Sequence, residues 1–245
     1  MKILICIDDT DNIESRGTGE IAELLADAIT GKGWGECGQV TRHQLLLHPD
    51  IPYTSHNSSM CFPAEIQPEL LDCITSYFCR RLAAESAPES DPGLCVLVPE
   101  RLIAREIIVQ YGQQAKVEVL SKQSAYDTAV AQGIHLSEHG GTGQGVIGAL
   151  AGAGLRLSGN DGRFKGKLSI PCPNGLATVR EIRAAGIDEV QTVEQQTLFD
   201  REVVQIGDWV KPILRGGKVV LLVVPDRAVP GVPWKAAGRK VFSDY

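Results

Sequence analysis

No apolar run in these 245 residues is long enough to cross a bilayer, which excludes a membrane-spanning helix. No C-x-x-C pair occurs among the seven cysteines Cys6, Cys37, Cys61, Cys73, Cys79, Cys95 and Cys172, so the usual zinc-ligand spacing is missing. Aromatic residues make up only 5%, and Lys plus Arg number 24 against 30 Asp plus Glu, for a formal net charge of −6. That balance argues against a surface that grips nucleic acid along its whole extent, because such binding needs Lys and Arg to displace counterions from phosphates. It leaves room for a local basic patch. The short N-terminal apolar run stops at Asp8 and Asp9, which argues against a signal peptide. An odd cysteine count without metal spacing reads as reduced, mostly buried thiols, and the expected location is cytoplasmic.

What is present is ordinary globular material, 43% apolar and 22% charged. Residues 2–7 are almost continuously apolar, as a strand buried on both faces requires. Ile21, Leu24, Leu25, Ala28 and Ile29 fall at helical spacing. Strands are expected at about 39–47, at 59–66 and at 94–98, with a helix opened by Pro68 and running through Leu82. The order is βαββαβ, the ferredoxin-like split βαβ pattern. Two further helices, about 100–111 and 121–132, precede a glycine-rich segment, 139–145, that runs into an apolar stretch. From about Lys165 the chain reads as a smaller unit: a helix over 176–185, strands at 190–193, 203–206, 209–214 and 219–224, and tight turns at Gly207-Asp208 and Gly216-Gly217. The expected class is therefore α+β or α/β, with a ferredoxin-like N-terminal region, additional helices and a strand-rich C-terminal unit. The expected domains are 1–160 and 161–245.

Three segments carry chemistry. Asp8, Asp9 and Asp11 crowd three carboxylates into four positions directly after the first strand. They repel one another and suffer desolvation, and a divalent cation would relieve both. Mg²⁺ suits hard oxygen ligands and characteristically takes one or two carboxylates plus substrate phosphates. The alternative is a solvated acidic turn that caps the helix beginning at Gly17. Gly143-Gln144-Gly145-Val146-Ile147-Gly148 matches G-x-G-x-x-G, but no strand is expected just before it and no Gly-Lys-Ser/Thr follows. It reads either as backbone amides opening a helix toward phosphate or as a plain interhelical turn. The polar loop from Ile51 to Asn57 carries His56 as a candidate acid or base, or simply faces water. His135 and His139 flank the glycine segment as candidate metal or phosphate contacts, and Lys165 and Lys167 follow it.

Taken in order, these segments resemble the archaeal isoleucine-tRNA agmatinylcytidine synthetase family. Ile7 to Asp11 is similar to its I-D-D-T-D opening, Pro49 to Tyr53 to its P-N-I-P-[WY] loop, and Asp91-Pro92-Gly93 to its N-P-G element. Gly143 to Ala151 is similar to its G-R-G-L-I-G-A-L-A stretch, while Pro230 to Pro233 is loosely like its closing segment. The resemblance covers residue 1 to about residue 158. It departs at Gly17-Thr18-Gly19, where the family has a Thr-Thr pair, and at Gln144, where it has Arg. In the polar loop Ser55, Asn57 and Ser58 replace its Thr, Gly and Asn.

The resemblance implies a kinase-like, ATP-binding catalytic region without the OB-fold and zinc ribbon that hold tRNA in that family. It implies Asp8, Asp9 and Asp11 as catalytic and Mg²⁺-binding, and Thr10, Thr18, Asn57, Gly143, Gly145 and Gly148 around ATP. The leading expectation is a Mg²⁺-dependent, ATP-using enzyme transferring a phosphoryl or nucleotidyl group to a small-molecule or RNA acceptor. The alternatives are the agmatine–cytidine ligase activity itself, helped by Arg215, Lys218, Arg227, Lys235, Arg239 and Lys240, and a non-catalytic nucleotide- or metabolite-binding regulator.

Overall fold

Lys2–Asp8 forms the first strand, β1, and six of its seven residues are buried. The computed structural model describes residues 1–51, 56–226, 228–242 and 245, and the chain divides into two units, Met1–Ser158 and Gly159–Tyr245. In the first unit β1 is followed by α1 (Thr18–Gly31), β2 (Gly35–Cys37), β3 (Thr41–Gln44), β4 (Ser58–Ile66), α2 (Leu71–Glu85) and β5 (Gly93–Leu97). Then come α3 (Arg105–Gln114), α4 (Lys122–Gln132), β6 (His135–Glu138) and α5 (Gly145–Ser158).

β1 lies between β4 and β5, antiparallel to both. The far edge of β4 carries the short strands β2 and β3, and the far edge of β5 carries β6, all antiparallel. The result is a mixed α+β unit with the expected βαββαβ order, the second strand being divided into β2 and β3.

Alternation along β1 sends its side chains into two cores. Ile3, Ile5 and Ile7 pack with Leu25 and Ile29 of α1, Phe78 and Leu82 of α2, and Phe62 of β4. Phe62 and Phe78 meet edge-on at 6.5 Å between centroids. Leu4 and Cys6 face Ile108 of α3, Ala129 of α4 and Leu150 of α5. Each fully buried Ile contributes about 1.5–3 kcal/mol through surface removed from water. Helices therefore cover the sheet on both faces, which is why β1 is apolar at nearly every position.

Several boundaries differ from expectation. The strand expected over 39–47 is confined to β3; Leu45 still donates to the Asn57 carbonyl, and Leu46 then turns away to the Ala115 carbonyl. The helix expected from 100 begins only at Arg105, after a single 3₁₀ turn at Pro99–Arg101. A strand, β6, does precede the glycine segment. It is an edge strand antiparallel to β5, so no parallel βαβ crossover of the dinucleotide-binding kind is built there. Cys6, Cys61 and Cys95 are buried, but Cys37, Cys79 and Cys172 are half-buried and Cys73 is exposed, which corrects the expectation of mostly buried thiols. Cys73 lies next to exposed Asp72 on the side of α2 turned away from Ile74 and Phe78.

In the second unit the elements are β7 (Arg163–Phe164), β8 (Leu176–Thr178), α6 (Val179–Ala184), β9 (Glu189–Thr192), β10 (Val203–Gln205), β11 (Ile213–Arg215), β12 (Lys218–Pro225) and β13 (Trp234–Ala236). β12 is central, pairing with β11 and β13 antiparallel and with β9 parallel. Gly216 and Gly217 form the β11–β12 turn with φ of +59° and +72°, the left-handed pair that a tight hairpin demands. Gly207-Asp208 joins no paired strands, because β10 pairs with β8 and β13. The helix expected over 176–185 divides into β8 and α6, with Thr178 closing a capping box with Glu181. Of the segment expected as a strand over 209–214, Val210 makes an isolated bridge to Leu168 and the strand proper starts at Ile213. Among the described residues no helix is long and apolar enough to cross a membrane.

Candidate functional site

The C-terminal end of β1 meets the start of β5 and the first turn of α5. Asp8 is the last residue of β1 and pairs across the ladder with Gly93, the first of β5. Gly93 has no side chain because α5 leaves no room for one: a Cβ there would lie 2.2 Å from the carbonyl carbon of Gly145. The same closeness recurs along α5. A Cβ on Gly145 would lie 2.0 Å from the Asp91 carbonyl oxygen, and one on Gly148 would lie 1.6 Å from Oδ2 of Asp8. Gly145 and Gly148 thus bring the helix backbone directly against Asp8 and Asp91. Sequence pattern alone marked these glycines, and their role in the structure is close approach.

Asp8 is 8% exposed, and its Oδ1 accepts from the Asp9 amide at 2.9 Å. Burial, reinforced by the charges of Asp9 and Asp11, pushes its carboxyl up to about 8, although the Asp9 amide bond works the other way. Asp9 is pushed up to about 6, first by burial and then by Asp91 and Asp11. Its backbone lies in the left-handed region, with φ of +51°. Asp and Asn are among the side chains that best tolerate that region. Thr18, at the start of α1, donates from Oγ1 to Oδ1 of Asp11 at 3.1 Å, and buried Thr10 donates to the Thr18 hydroxyl at 3.1 Å. The acids do not cap α1: its N-cap is Gly17, with no side-chain bond.

The glycine turn already cradles an anion, and the anion is Asp91. Its Oδ1 accepts from the amides of Thr142 and of Gly143, the latter at 3.2 Å, and its Oδ2 accepts from the Thr142 hydroxyl at 2.7 Å. Gly143 is held at φ +76°, and a Cβ there would lie 1.5 Å from Glu138 Oε2. The Gly145 amide donates to the Asp91 carbonyl at 3.1 Å. The turn therefore has the geometry of an anion nest, and its Thr142 and Gly143 amides are engaged by the chain's own carboxylate. Asp91 is the participant that residue-by-residue reading passed over. It was visible only as part of an Asp-Pro-Gly turn, and nothing local says that it reaches 51 residues along the chain.

Asn57 is placed differently. Its Nδ2 donates to the Leu46 carbonyl at 2.6 Å, pinning the mouth of the β3–β4 hairpin, while neighbouring Leu45 packs against Gly148. The loop ahead of it, Pro52, Tyr53, Thr54 and Ser55, lies outside the described residues. His56 is exposed. In the second unit, Lys167 stacks its ammonium 5.1 Å from the Trp209 ring centroid. Of the basic residues there, Lys218 pairs with Glu189, Lys235 lies 3.9 Å from Asp226, and Arg215 donates to Tyr245. Arg227 lies outside the described residues.

Among the described residues no group of three or more His, Cys, Asp or Glu is placed to hold a metal ion. Asp8 and Asp9 place two carboxylates side by side along the chain at the strand end. Their raised affinity for protons comes first from burial and then from the neighbouring carboxylates.

No family model matches the chain, and no curated protein matches it. Its fold is similar to that of several solved structures. Apo TiaS, an agmatidine synthetase for an isoleucine tRNA, shares 23% identity over 63% of this chain and 35% of its own, with a TM-score of 0.51. A tRNA fluorescent labeling enzyme shares 22% over 72% of this chain and 40% of its own, with a TM-score of 0.55. TiaS in complex with that isoleucine tRNA and ATP shares 18% over 88% of this chain and 51% of its own, also at 0.55. The chain thus spans about a third to a half of the length of these proteins. At such identities the likeness establishes a shared α+β fold.

Proposed function

We propose that this chain is a Mg²⁺-dependent, ATP-using enzyme that transfers a phosphoryl or nucleotidyl group to an acceptor. The observation that carries this reading is buried Asp8, with Asp9 and Asp11 beside it, pressed against the glycine-opened start of α5. Solved structures of the same fold include one with ATP bound, which supports the choice of nucleotide.

Asp8 and Asp9 would hold Mg²⁺, with Asp11 adding charge nearby. The fit rests on the hard oxygen donors of two carboxylates, leaving coordination positions for phosphate oxygens and water. Bound there, the cation supplies neutralisation of charge on the phosphates. The chain's own residues do the positioning. Thr10 and Thr18 reach the site through Asp11, whose carboxylate Thr18 orients. Gly145 and Gly148 line the wall by leaving no side chain between helix and carboxylates, while Gly143 holds the turn before them where a side chain would strike Glu138. Asp91 locks the turn, and Asn57 holds the hairpin that places Leu45 against Gly148. Catalysis of this type is mainly positioning and electrostatics.

Calorimetric titration of the full chain with ATP, with and without Mg²⁺, tests the site. We expect Mg²⁺-dependent binding that Asp8→Asn abolishes and that Asn57→Ala weakens less. Unchanged binding in Asp8→Asn sinks the assignment. Product analysis of ATP incubated with the protein, Mg²⁺ and candidate acceptors then separates AMP from ADP formation. Agmatine with tRNA belongs on that acceptor panel because the fold occurs in a tRNA-bound protein.

A further inference from the structure

A second cluster of reactive side chains lies on the opposite edge of β5 from β1, where the nucleotide reading makes no use of it. β6 is an edge strand, so residues two apart share a face. Leu136 points into the core under α5, which turns His135 and Ser137 to the face that α2 covers, and His139 continues their line. The Cys79 sulfur, on α2, lies 3.8 Å from His135 Nε2 and 3.9 Å from the Ser137 hydroxyl. That hydroxyl sits between both imidazoles, 2.9 Å from His135 Nε2 and 2.8 Å from His139 Nε2. Two histidines four apart are uninformative on paper. On a strand with a serine between them they form a line.

The donors do not converge on one point as metal ligands would. They form a chain along which a proton can move. Partial desolvation against the packed chain lowers the affinity of both imidazoles for a proton, and at His139 the neighbouring His135 adds to this against the pull of Glu138. An unprotonated ring offers a lone pair at Nε2. A serine hydroxyl has one proton, so it can donate to one ring while accepting from the other. Once His135 Nε2 has taken a proton, Ser137 Oγ is at the right distance to accept from it. Cys79 is half-buried and His135 exposed, so a small reagent can reach the pair.

We propose that Cys79 is a modification site for small disulfides of the glutathione class, with His135 as the base that takes its proton. In the reaction the Cys79 sulfur, its proton passed to His135 Nε2, attacks one sulfur of the disulfide. A new S–S bond forms, the reagent's own S–S bond breaks, and the departing thiolate takes the proton back from His135 to leave as a thiol. The reagent is the oxidant, and excess small thiol reverses the step. Among the described residues the cluster holds no second thiol, so the product there is a mixed disulfide.

The same helix supplies the control. Cys73 is more exposed than Cys79. Simple accessibility makes Cys73 react first, whereas an imidazole-assisted thiol reverses the order. The full chain is incubated with oxidised glutathione, and adducts are followed by intact mass and peptide mapping. We expect Cys79 to be modified about tenfold faster than Cys73, and His135→Gln to slow Cys79 by about the same factor while the Cys73 rate holds. An unchanged Cys73 rate also reports that α2 is intact in the variant. Modification of Cys73 as fast as Cys79, or a Cys79 rate indifferent to His135→Gln, overturns the proposal. Neither result depends on whether the chain binds ATP.

Discussion

Asp8 carries a carboxyl pushed up to about 8 at the end of a strand otherwise filled with apolar side chains. The sign of its effect on stability follows directly. A group that holds its proton more tightly in the fold than in the unfolded chain supports the fold fully at low pH and withdraws that support as pH rises to its folded value. For Asp8 the loss runs from about pH 4, the ordinary carboxylate value, to about pH 8. Asp9 behaves alike up to about pH 6. We therefore expect thermal melts of chelator-treated protein to fall in midpoint between pH 6 and 8, and Asp8→Asn to flatten that fall and melt higher at pH 8. An Asp8→Asn variant with the wild-type pH slope would show that Asp8 is not the source. At this scale the sequence was informative: three acids after an apolar run are visible in any reading. Thr18, which donates to Asp11, and Asp91, which accepts from the glycine turn at Thr142, were not equally visible, because hydrogen bonds over 7 and 51 residues depend on how helices and turns return to the strand end.

At the scale of elements, α5 is the part that joins sequence pattern to site geometry. Its glycines fall at 145, 148, 152 and 154, and each stands where a side chain would collide with a specific neighbour. Gly148 meets Asp8, Gly152 meets the Ser59 hydroxyl and Cys6, and Gly154 meets the Ile108 carbonyl of α3. A helix so rich in glycine is weak in intrinsic propensity and is held by the closeness of its contacts instead. Gly148→Ala should destabilise the protein by about 1–3 kcal/mol through overpacking, read as a lowered denaturant midpoint. Gly31→Ala, at the end of α1 with nothing within 4 Å, is the matched control and should be neutral or slightly stabilising. Equal midpoints for the two variants would mean that α5 can lift away from Asp8 at no cost. The spacing of α1 and α2 was legible because each buries one clear stripe. β6 was not, since a four-residue edge strand of His, Leu, Ser and Glu has too little apolar alternation to declare itself.

At the scale of the whole molecule, the two units have separate cores. In the first, β1 is paired on both edges and covered on both faces, so its amides can exchange with solvent only when the unit opens globally. Hydrogen exchange followed by mass spectrometry should find peptides covering Ile3–Ile7 the slowest of residues 1–158. Faster exchange there than in the edge strand β6 would contradict the sheet order. In the second unit the strands are short, and β12, with partners on three strands, is the counterpart of β1.

The sequence by itself determined a mixed helix-and-strand class, the βαββαβ order of the first hundred residues, and the acidic strand end. Each rests on local pattern: periodicity of apolar residues, turn chemistry, and charges adjacent along the chain. The tertiary structure alone decided that Asp91 fills the glycine turn, that Asp8 lies against Gly148, and that Cys79 meets a His–Ser–His line. Those contacts join residues 51 to 140 positions apart. Their closeness is set by which strand sits beside which and by how near a helix without side chains can approach, and no local pattern records either.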